Sequence, residues 1–167
     1  DLGLGGSEEA VDESVRAAAK RLGALGASVE EVSIPMHIDG AYIFTAIIRE
    51  GATDFMVKGY NTGTNWQGFY NTGLLDAVAR GFNSRPNDLP VTVKTVMLMG
   101  EYMKRYYHGR YYAKAQNLRA SLVKAYDDVL SDHDVLLMPT IPFQATVMPS
   151  PDCSIIENMS HALNMTN

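Results

Sequence analysis

The side chains most able to bind a metal or take part in catalysis are four histidines and one cysteine, and they are scattered along the chain. His37, His108, His133 and His161 form no pair three or four residues apart, and Cys153 stands alone. Zinc sites usually take their ligands from such short spacings, so the sequence argues against a metal site. His37 follows a predicted strand, where α/β proteins often bind ligands, but a surface or capping role is favoured.

The serines show no self-contained hydrolytic site. The G-x-S-x-G turn that exposes a nucleophilic serine does not occur, and Cys153 has no basic neighbour. The glycine-rich run before Ser7 could hold a phosphate on its backbone N–H groups. It lacks the lysine of a phosphate-binding loop, however, and two glutamates follow it. We interpret the thiol as inert and the glycine run as a plain turn.

A third candidate is the stretch from Arg80 to Lys124, in which tyrosines are interleaved with lysines and arginines. This pattern could bind nucleic acid through phosphate contacts and base stacking. The alternative is a pair of amphipathic helices whose tyrosines pack while their cations stay solvated. A net charge of −5 favours the helices, so we predict no nucleic-acid partner.

The bulk composition is that of an ordinary globular protein. The chain has 167 residues, of which 46% are hydrophobic and 20% are charged, enough for one domain. No apolar run approaches the roughly 20 residues that span a bilayer, so we predict no membrane partner. A lone cysteine allows no internal disulfide, which makes a reducing compartment, the cytoplasm, the expected location.

Hydrophobic periodicity predicts helices alternating with strands. Ser7 is expected to cap a first helix whose apolar stripe ends at Gly26. One strand is predicted within residues 28–34, before Pro35, and another at 135–138, before a proline-rich loop. Further helices are predicted over residues 40–57, 74–82, 90–107, 109–130 and 155–165, with a loop at 59–73.

Three stretches resemble the amidase signature family and together cover about a third of the chain. "DHDVLLMPTIP" is similar to a late strand of the family's central sheet, which ends in D-x-L-x-x-P-T-x-P. "EEAVDESVRAAAKRLGALGASVEEVSIP" resembles the helix and strand after the catalytic core, and "YYAKAQNLRASLVKAYDD" the long helix before the late strand. Among subgroups, the chain looks most like bacterial amidases of nitrile and amide breakdown, rather than tRNA-dependent amidotransferase subunits. The resemblance implies an α/β fold: a helix-rich segment of a mixed central sheet flanked by helices, forming one partial domain over residues 1–167.

The resemblance also implies a mechanism. Family members hydrolyse amides with a lysine, a bridging serine in a cis peptide and a nucleophilic serine in a Gly/Ser-rich signature. Here the serine of "GGSEEA" is followed by two acids and a helix, and no lysine has a matching context. We therefore predict no catalytic residue in this chain and no activity for the segment alone. The triad is expected before Asp1, and the family's P-F-x-x-T-G-x-P segment just beyond Asn167.

The resemblance places part of a substrate pocket in this chain. Phe44 stands where similar amidases present an aromatic side chain to the substrate, and Met165 and Thr166 match residues that approach the pocket. A bulky Phe44 would favour modest or aromatic acyl groups, whereas the alternative is that it is simply a core residue.

The implied partners are a small-molecule amide substrate and the remainder of the amidase chain, with a homodimer as an open option. No cofactor or metal is expected. The alternative to an amidase segment is a stand-alone α/β binding module without catalysis.

Overall fold

A computed structural model describes residues 6–63 and 65–163, with side chains as far as residue 160. The chain divides into two compact units. The first unit comprises the described residues up to Ala41 and from Arg119 onward, and the second comprises Tyr42–Leu118. No helix in these ranges is long and apolar enough to cross a membrane.

Helices make up most of the described chain, and each predicted helix is confirmed there with shifted ends, whereas residues 164–165 of the last predicted helix lie outside the described residues. They are α1 (Glu9–Ala24), α2 (Gly40–Gly51), α3 (Thr72–Ser84), α4 (Val91–Tyr107), α5 (Arg110–Leu130) and α6 (Ile155–Leu163). A π-helical turn over Ala52–Lys58 prolongs α2, and short 3-10 turns span Pro35–Asp39 and Pro86–Asp88.

The predicted α/β fold is wrong for the part of the chain that the structure describes. About 65% of it is helical, and it contains no strand or sheet. Both predicted strand regions, 28–34 and 135–138, run as non-helical segments without a ladder partner. An alternating apolar pattern favours extended backbone, but a strand exists only when a neighbour pairs with it. The prediction of one partial domain over residues 1–167 stays a prediction.

The start of α1 differs from its prediction, whereas its end agrees. Glu8, not Ser7, occupies the N-cap position. The Ser7 hydroxyl instead donates to Asp12 Oδ1 at 2.6 Å and lies 3.4 Å from the Pro142 carbonyl oxygen. Gly26 follows the helix with φ of 101°, the left-handed geometry in which glycine commonly ends helices.

The predicted loop at 59–73 is confirmed in its described part as far as Asn71, since Thr72 and Gly73 begin α3, and it is tethered by its own aromatic residues. The rings of Trp66 and Tyr70 meet edge to face, with centroids 5.0 Å apart. The Tyr70 hydroxyl donates to the Gly63 carbonyl oxygen at 3.0 Å and accepts from the Gly63 N–H at 3.2 Å. These contacts close the loop without secondary structure.

Helix α4 packs closely against the end of α2 in the second unit. A Cβ added to Gly100 would lie 2.9 Å from the Thr53 Cβ and closer still to the Arg49 carbonyl oxygen. Ion pairs of Lys104 with Asp54 and of Lys58 with Glu101 flank this approach. Glycine at position 100 therefore allows α4 to reach the backbone of α2.

Replacing Gly100 with alanine should destabilise the protein. The added methyl meets backbone that cannot move aside, so we expect the free energy of unfolding to fall by about 1–3 kcal/mol. The matched control is Gly81→Ala in α3, where an added Cβ has nothing within 4 Å. Because alanine is the better helix former, that variant should gain about 0.5–1 kcal/mol. Denaturant unfolding measures both, and equal effects would contradict the close packing at Gly100.

Candidate functional site

The first unit contains an open cleft between its two extended segments. Its volume is about 400 Å³. Val32–Pro35, His37 and Ile38 line one side and Leu136–Pro139 line the other, with Val15 of α1 and Tyr126 of α5 completing the wall. Two of the stretches that resemble the amidase signature family therefore contribute to the same cleft, one through "VSIP" and the other through "LLMP".

A histidine–tyrosine pair is the main polar feature of this cleft. His37 Nδ1 lies 2.5 Å from the Tyr126 hydroxyl, and the two rings meet edge to face. The 3-10 turn that begins at Pro35 positions His37, and α5 positions Tyr126. Sequence reasoning noted His37 as a residue at a strand end but missed Tyr126. The one signal in the sequence for Tyr126 was its position one helical turn after Leu122.

The cleft is suited to binding rather than to hydrolysis. Its walls are largely aliphatic, and the histidine–tyrosine pair can offer one hydrogen-bond donor or acceptor to a ligand. Ser33 also lines the cleft, but His37 bonds the Tyr126 hydroxyl. The serine–histidine pair that a serine nucleophile requires is therefore not formed by these cleft residues.

A proline-rich segment leaves the cleft and is fastened to the start of α1. The Pro142 carbonyl oxygen accepts the Glu8 N–H at 2.8 Å. The Gln144 N–H donates in turn to Glu8 Oε2 at 3.1 Å. The Ser7 hydroxyl, which lies beside the same carbonyl, lowers the pKa of the Asp12 carboxyl by its hydrogen bond. The segment 139–144 is thus held by the N–H and the side chain of Glu8 at a helix start rather than by a neighbouring strand.

His133, which follows α5, forms a clamp in the same unit. Its Nδ1 lies 2.8 Å from the Val129 carbonyl oxygen, and its Nε2 lies 2.5 Å from Glu30 Oε1. Both partners only accept hydrogen bonds when Glu30 is ionised, so the geometry favours a doubly protonated imidazolium. The bond to the Val129 carbonyl, then Glu30 and the charge of Asp132, raise the pKa of His133 above 6.5.

The clamp should make stability depend on pH near neutrality. The pKa of His133 is higher in the folded than in the unfolded protein. The clamp's contribution to the free energy of unfolding is therefore fully present below about pH 6.5 and is lost as pH rises through the folded-state pKa. NMR titration of the histidine rings should show His133 titrating above pH 6.5. Glu30→Gln should lower that midpoint, whereas Glu31→Gln, at the neighbouring acid, should leave it unchanged. A midpoint at or below 6.5 in the unaltered protein would contradict the clamp.

The second unit holds a buried carboxylate that sequence reasoning missed. Glu50 is 2% exposed, and neither of its oxygens has a hydrogen-bond partner among the described residues. A Cβ added to Gly109, which precedes α5, would lie 3.8 Å from Glu50 Oε2. The carboxylate thus lies near the start of α5, where the helix dipole favours negative charge.

The structure describes one of the three predicted pocket residues. Phe44 lies on α2 in the second unit, and 47% of its surface is exposed. Met165 and Thr166 lie outside the described residues. Within the described ranges, no group of three or more His, Cys, Asp or Glu side chains could hold a metal ion.

Comparison with known proteins decides the family. A family model described as "Amidase" matches residues 2–166. The chain belongs to the amidase family. An enantioselective amidase of Rhodococcus rhodochrous is 37% identical to it over 158 residues, which is 95% of this chain and 31% of that protein.

Further relatives of this amidase chain point to the same family. A protein of Rhodococcus erythropolis, described as "Uncharacterized protein in nthA 5'region", is 33% identical over 74% of this chain and 62% of its own length. One subunit of the glutamyl-tRNA(Gln) amidotransferase of Haloarcula marismortui is 34% identical over 83% of this chain and 32% of its own length. The chain therefore spans about a third of the amidase and of the amidotransferase subunit.

Proposed function

We propose that this chain is the scaffold and substrate-pocket wall of an enzyme that hydrolyses carboxylic amides to acid and ammonia. The observation that carries the proposal is the 37% identity to the enantioselective amidase, which extends over 95% of the chain. The higher identity to this amidase than to the amidotransferase subunit favours a small-molecule amide over a tRNA-bound substrate. The remainder of the amidase chain is the second partner in this proposal.

The chemistry we propose follows the pattern of the family. A nucleophilic serine attacks the amide carbonyl, and its proton passes through a bridging cis-serine to a lysine. Backbone N–H groups stabilise the oxyanion, the proton moves on to the departing ammonia, and water then hydrolyses the acyl-enzyme. None of these three residues is assigned to residues 1–167, because no serine or lysine here stands in a matching context.

The described structure supports a scaffold role in two ways. The buried side chains of the described residues all belong to the second unit: Ile43, Glu50, Thr53 and Ala115. Large apolar side chains such as Leu25, Val135 and Val147 are more than two-thirds exposed, so much apolar surface is available for further chain to cover. So small a core also disfavours the alternative of a stand-alone binding module. The best argument for that alternative is the cleft in the first unit.

Phe44 is the pocket residue we propose within the described chain, together with Met165 and Thr166 outside it. The half-exposed ring of Phe44 argues against the alternative in which it is only a core residue. A side chain with this much free surface can contact an acyl group and limit its size.

The chain on its own should not turn over amides. We expect residues 1–167, purified alone, to release no ammonia from simple aliphatic or aromatic amides, because the proposed nucleophile is encoded elsewhere. The protein from the complete gene, assayed in parallel, should hydrolyse them. Turnover by the isolated chain would overturn the assignment of the triad, and an inactive complete protein would overturn the proposed activity.

Shortening Phe44 should change which amides are accepted. In the complete protein, Phe44→Ala should raise kcat/KM for bulky acyl groups relative to small ones by about tenfold, because the pocket wall recedes. The matched control is Phe55→Ala, at another half-exposed phenylalanine of the same helical stretch. The kcat/KM ratio for a matched pair of bulky and small amides is the readout. A ratio that Phe44→Ala leaves unchanged, or that both variants alter equally, would contradict the pocket role.

A further inference from the structure

A small cavity in the second unit lies where α4 meets the π-helical turn that prolongs α2. Its volume is about 300 Å³. The turn lines it with Thr53, Val57 and Lys58, and α4 lines it with four side chains from Lys94 to Glu101. π-Helical turns are rare and occur frequently at functional sites. The proposed hydrolysis gives this cavity no role.

The walls of the cavity are apolar. Val57, Met97 and Leu98 contribute apolar side chains. The Thr53 hydroxyl donates to the Arg49 carbonyl oxygen at 3.0 Å, so its hydrogen is already engaged. A lysine covers such a wall with its methylene stem and keeps its ammonium group toward solvent. The cavity therefore suits a short hydrocarbon chain, since pockets for small ligands begin at about this size.

The charges around the cavity leave one cation without a carboxylate partner. Lys58 pairs with Glu101. Lys94 Nζ donates to the Asn87 carbonyl oxygen at 3.1 Å, and no carboxylate of the described residues pairs with it. The first turn of α4, which contains Lys94, has no acidic residue. The half-buried Lys94 thus places an uncompensated positive charge at an apolar cavity.

The other acids of the neighbouring turns already have partners. Asp54, in the π-helical turn, pairs with Lys104. Asp88, in the 3-10 turn before α4, pairs with Arg85. Neither acid can neutralise Lys94 without leaving its present partner unpaired. The charge of Lys94 is therefore available to an anionic ligand.

We propose that this cavity binds a small monocarboxylic acid, with its hydrocarbon part against Val57 and Met97 and its carboxylate on Lys94. A lysine ammonium group has three N–H donors, so it can keep its bond to Asn87 and still donate to a carboxylate. A phosphate or a dicarboxylate would bring a second negative charge, for which the paired Lys58 offers no free cation. The inference does not depend on the proposed function, because it uses neither the amide substrate nor the catalytic residues.

The competing occupant is a side chain from the remainder of the amidase chain. An apolar side chain would cover the walls but would leave Lys94 unpaired. An aspartate or glutamate would pair with Lys94 but would place polar atoms against apolar walls. A free acid with a hydrocarbon tail combines both requirements in one molecule, and the complete protein distinguishes the two occupants.

Methionine methyl NMR of the protein from the complete gene tests the site, because Met97 lines the cavity. Sodium hexanoate should shift the Met97 methyl resonance saturably, and Met97→Leu assigns that resonance. The control is the methyl group of Met148, which is 87% exposed in the first unit and should not respond. Butyrate, which is two methylene groups shorter, should bind about tenfold more weakly, because it buries less apolar surface.

Neutralising Lys94 separates a carboxylate site from a plain apolar one. Lys94→Gln should raise the hexanoate dissociation constant about tenfold, because it removes a charge-assisted hydrogen bond. The matched control is Lys124→Gln, at a lysine of the first unit that pairs with Asp128, and it should leave the constant unchanged. Leu98→Glu should also weaken binding, because a carboxylate four residues after Lys94 pairs with it. Circular dichroism of each variant confirms that it is folded.

An uncharged ligand of the same length completes the test. Hexan-1-ol keeps the hydrocarbon chain without the carboxylate, so it should bind the unaltered protein about tenfold more weakly than hexanoate.

Three outcomes would overturn the proposal. They are a Met97 resonance that hexanoate leaves in place, a dissociation constant that Lys94→Gln does not change, and binding of hexan-1-ol as tight as that of hexanoate. The first would assign the cavity to the remainder of the amidase chain, and the other two would reduce the binding to apolar contact alone.

Discussion

The structure of the first unit depends on how the backbone polar groups of a proline-rich segment find hydrogen-bond partners. Pro139 and Pro142 have no N–H to donate, so this stretch cannot form a regular ladder with a neighbouring strand. Its Pro142 carbonyl accepts the Glu8 N–H at the start of α1, one of the groups that a helix leaves unpaired. This bond anchors the segment that follows Leu136–Pro139, and it leaves a cleft rather than a sheet between the two extended segments. The His37–Tyr126 pair and the His133–Glu30 clamp are two further polar contacts in this unit.

The second unit is organised differently, by close approach of two helices. Gly100 allows α4 to reach the backbone of α2, and ion pairs hold the two together. One side of α4 packs on α2, whereas its opposite side is apolar and exposed. Phe44, half-exposed on α2, belongs to the same unit. The unit thus combines a well-packed helix contact with side chains that have free surface for further contacts.

Local features were predictable from the sequence, and pairings between distant residues were not. The helices follow from apolar spacing, and Gly26 ends α1 because only a few residue types adopt its backbone geometry. The strand predictions were wrong because an apolar alternation indicates that a segment is extended without indicating which segment pairs with it. The prediction that Ser7 caps α1 was wrong because Asp12 and the distant Pro142 carbonyl compete for its hydroxyl. The Glu30–His133 contact joins residues 103 positions apart, for which one sequence carries no signal.

The central claim is that this amidase chain supports a reaction whose nucleophile lies outside residues 1–167. A fluorophosphonate probe, which bonds covalently to an activated serine, tests this in the protein from the complete gene. Peptide mass spectrometry then locates the modified serine. The account predicts one labelled peptide, outside the sequence Asp1–Asn167, and labelling that a competing amide substrate slows. A labelled serine within Asp1–Asn167 would contradict it.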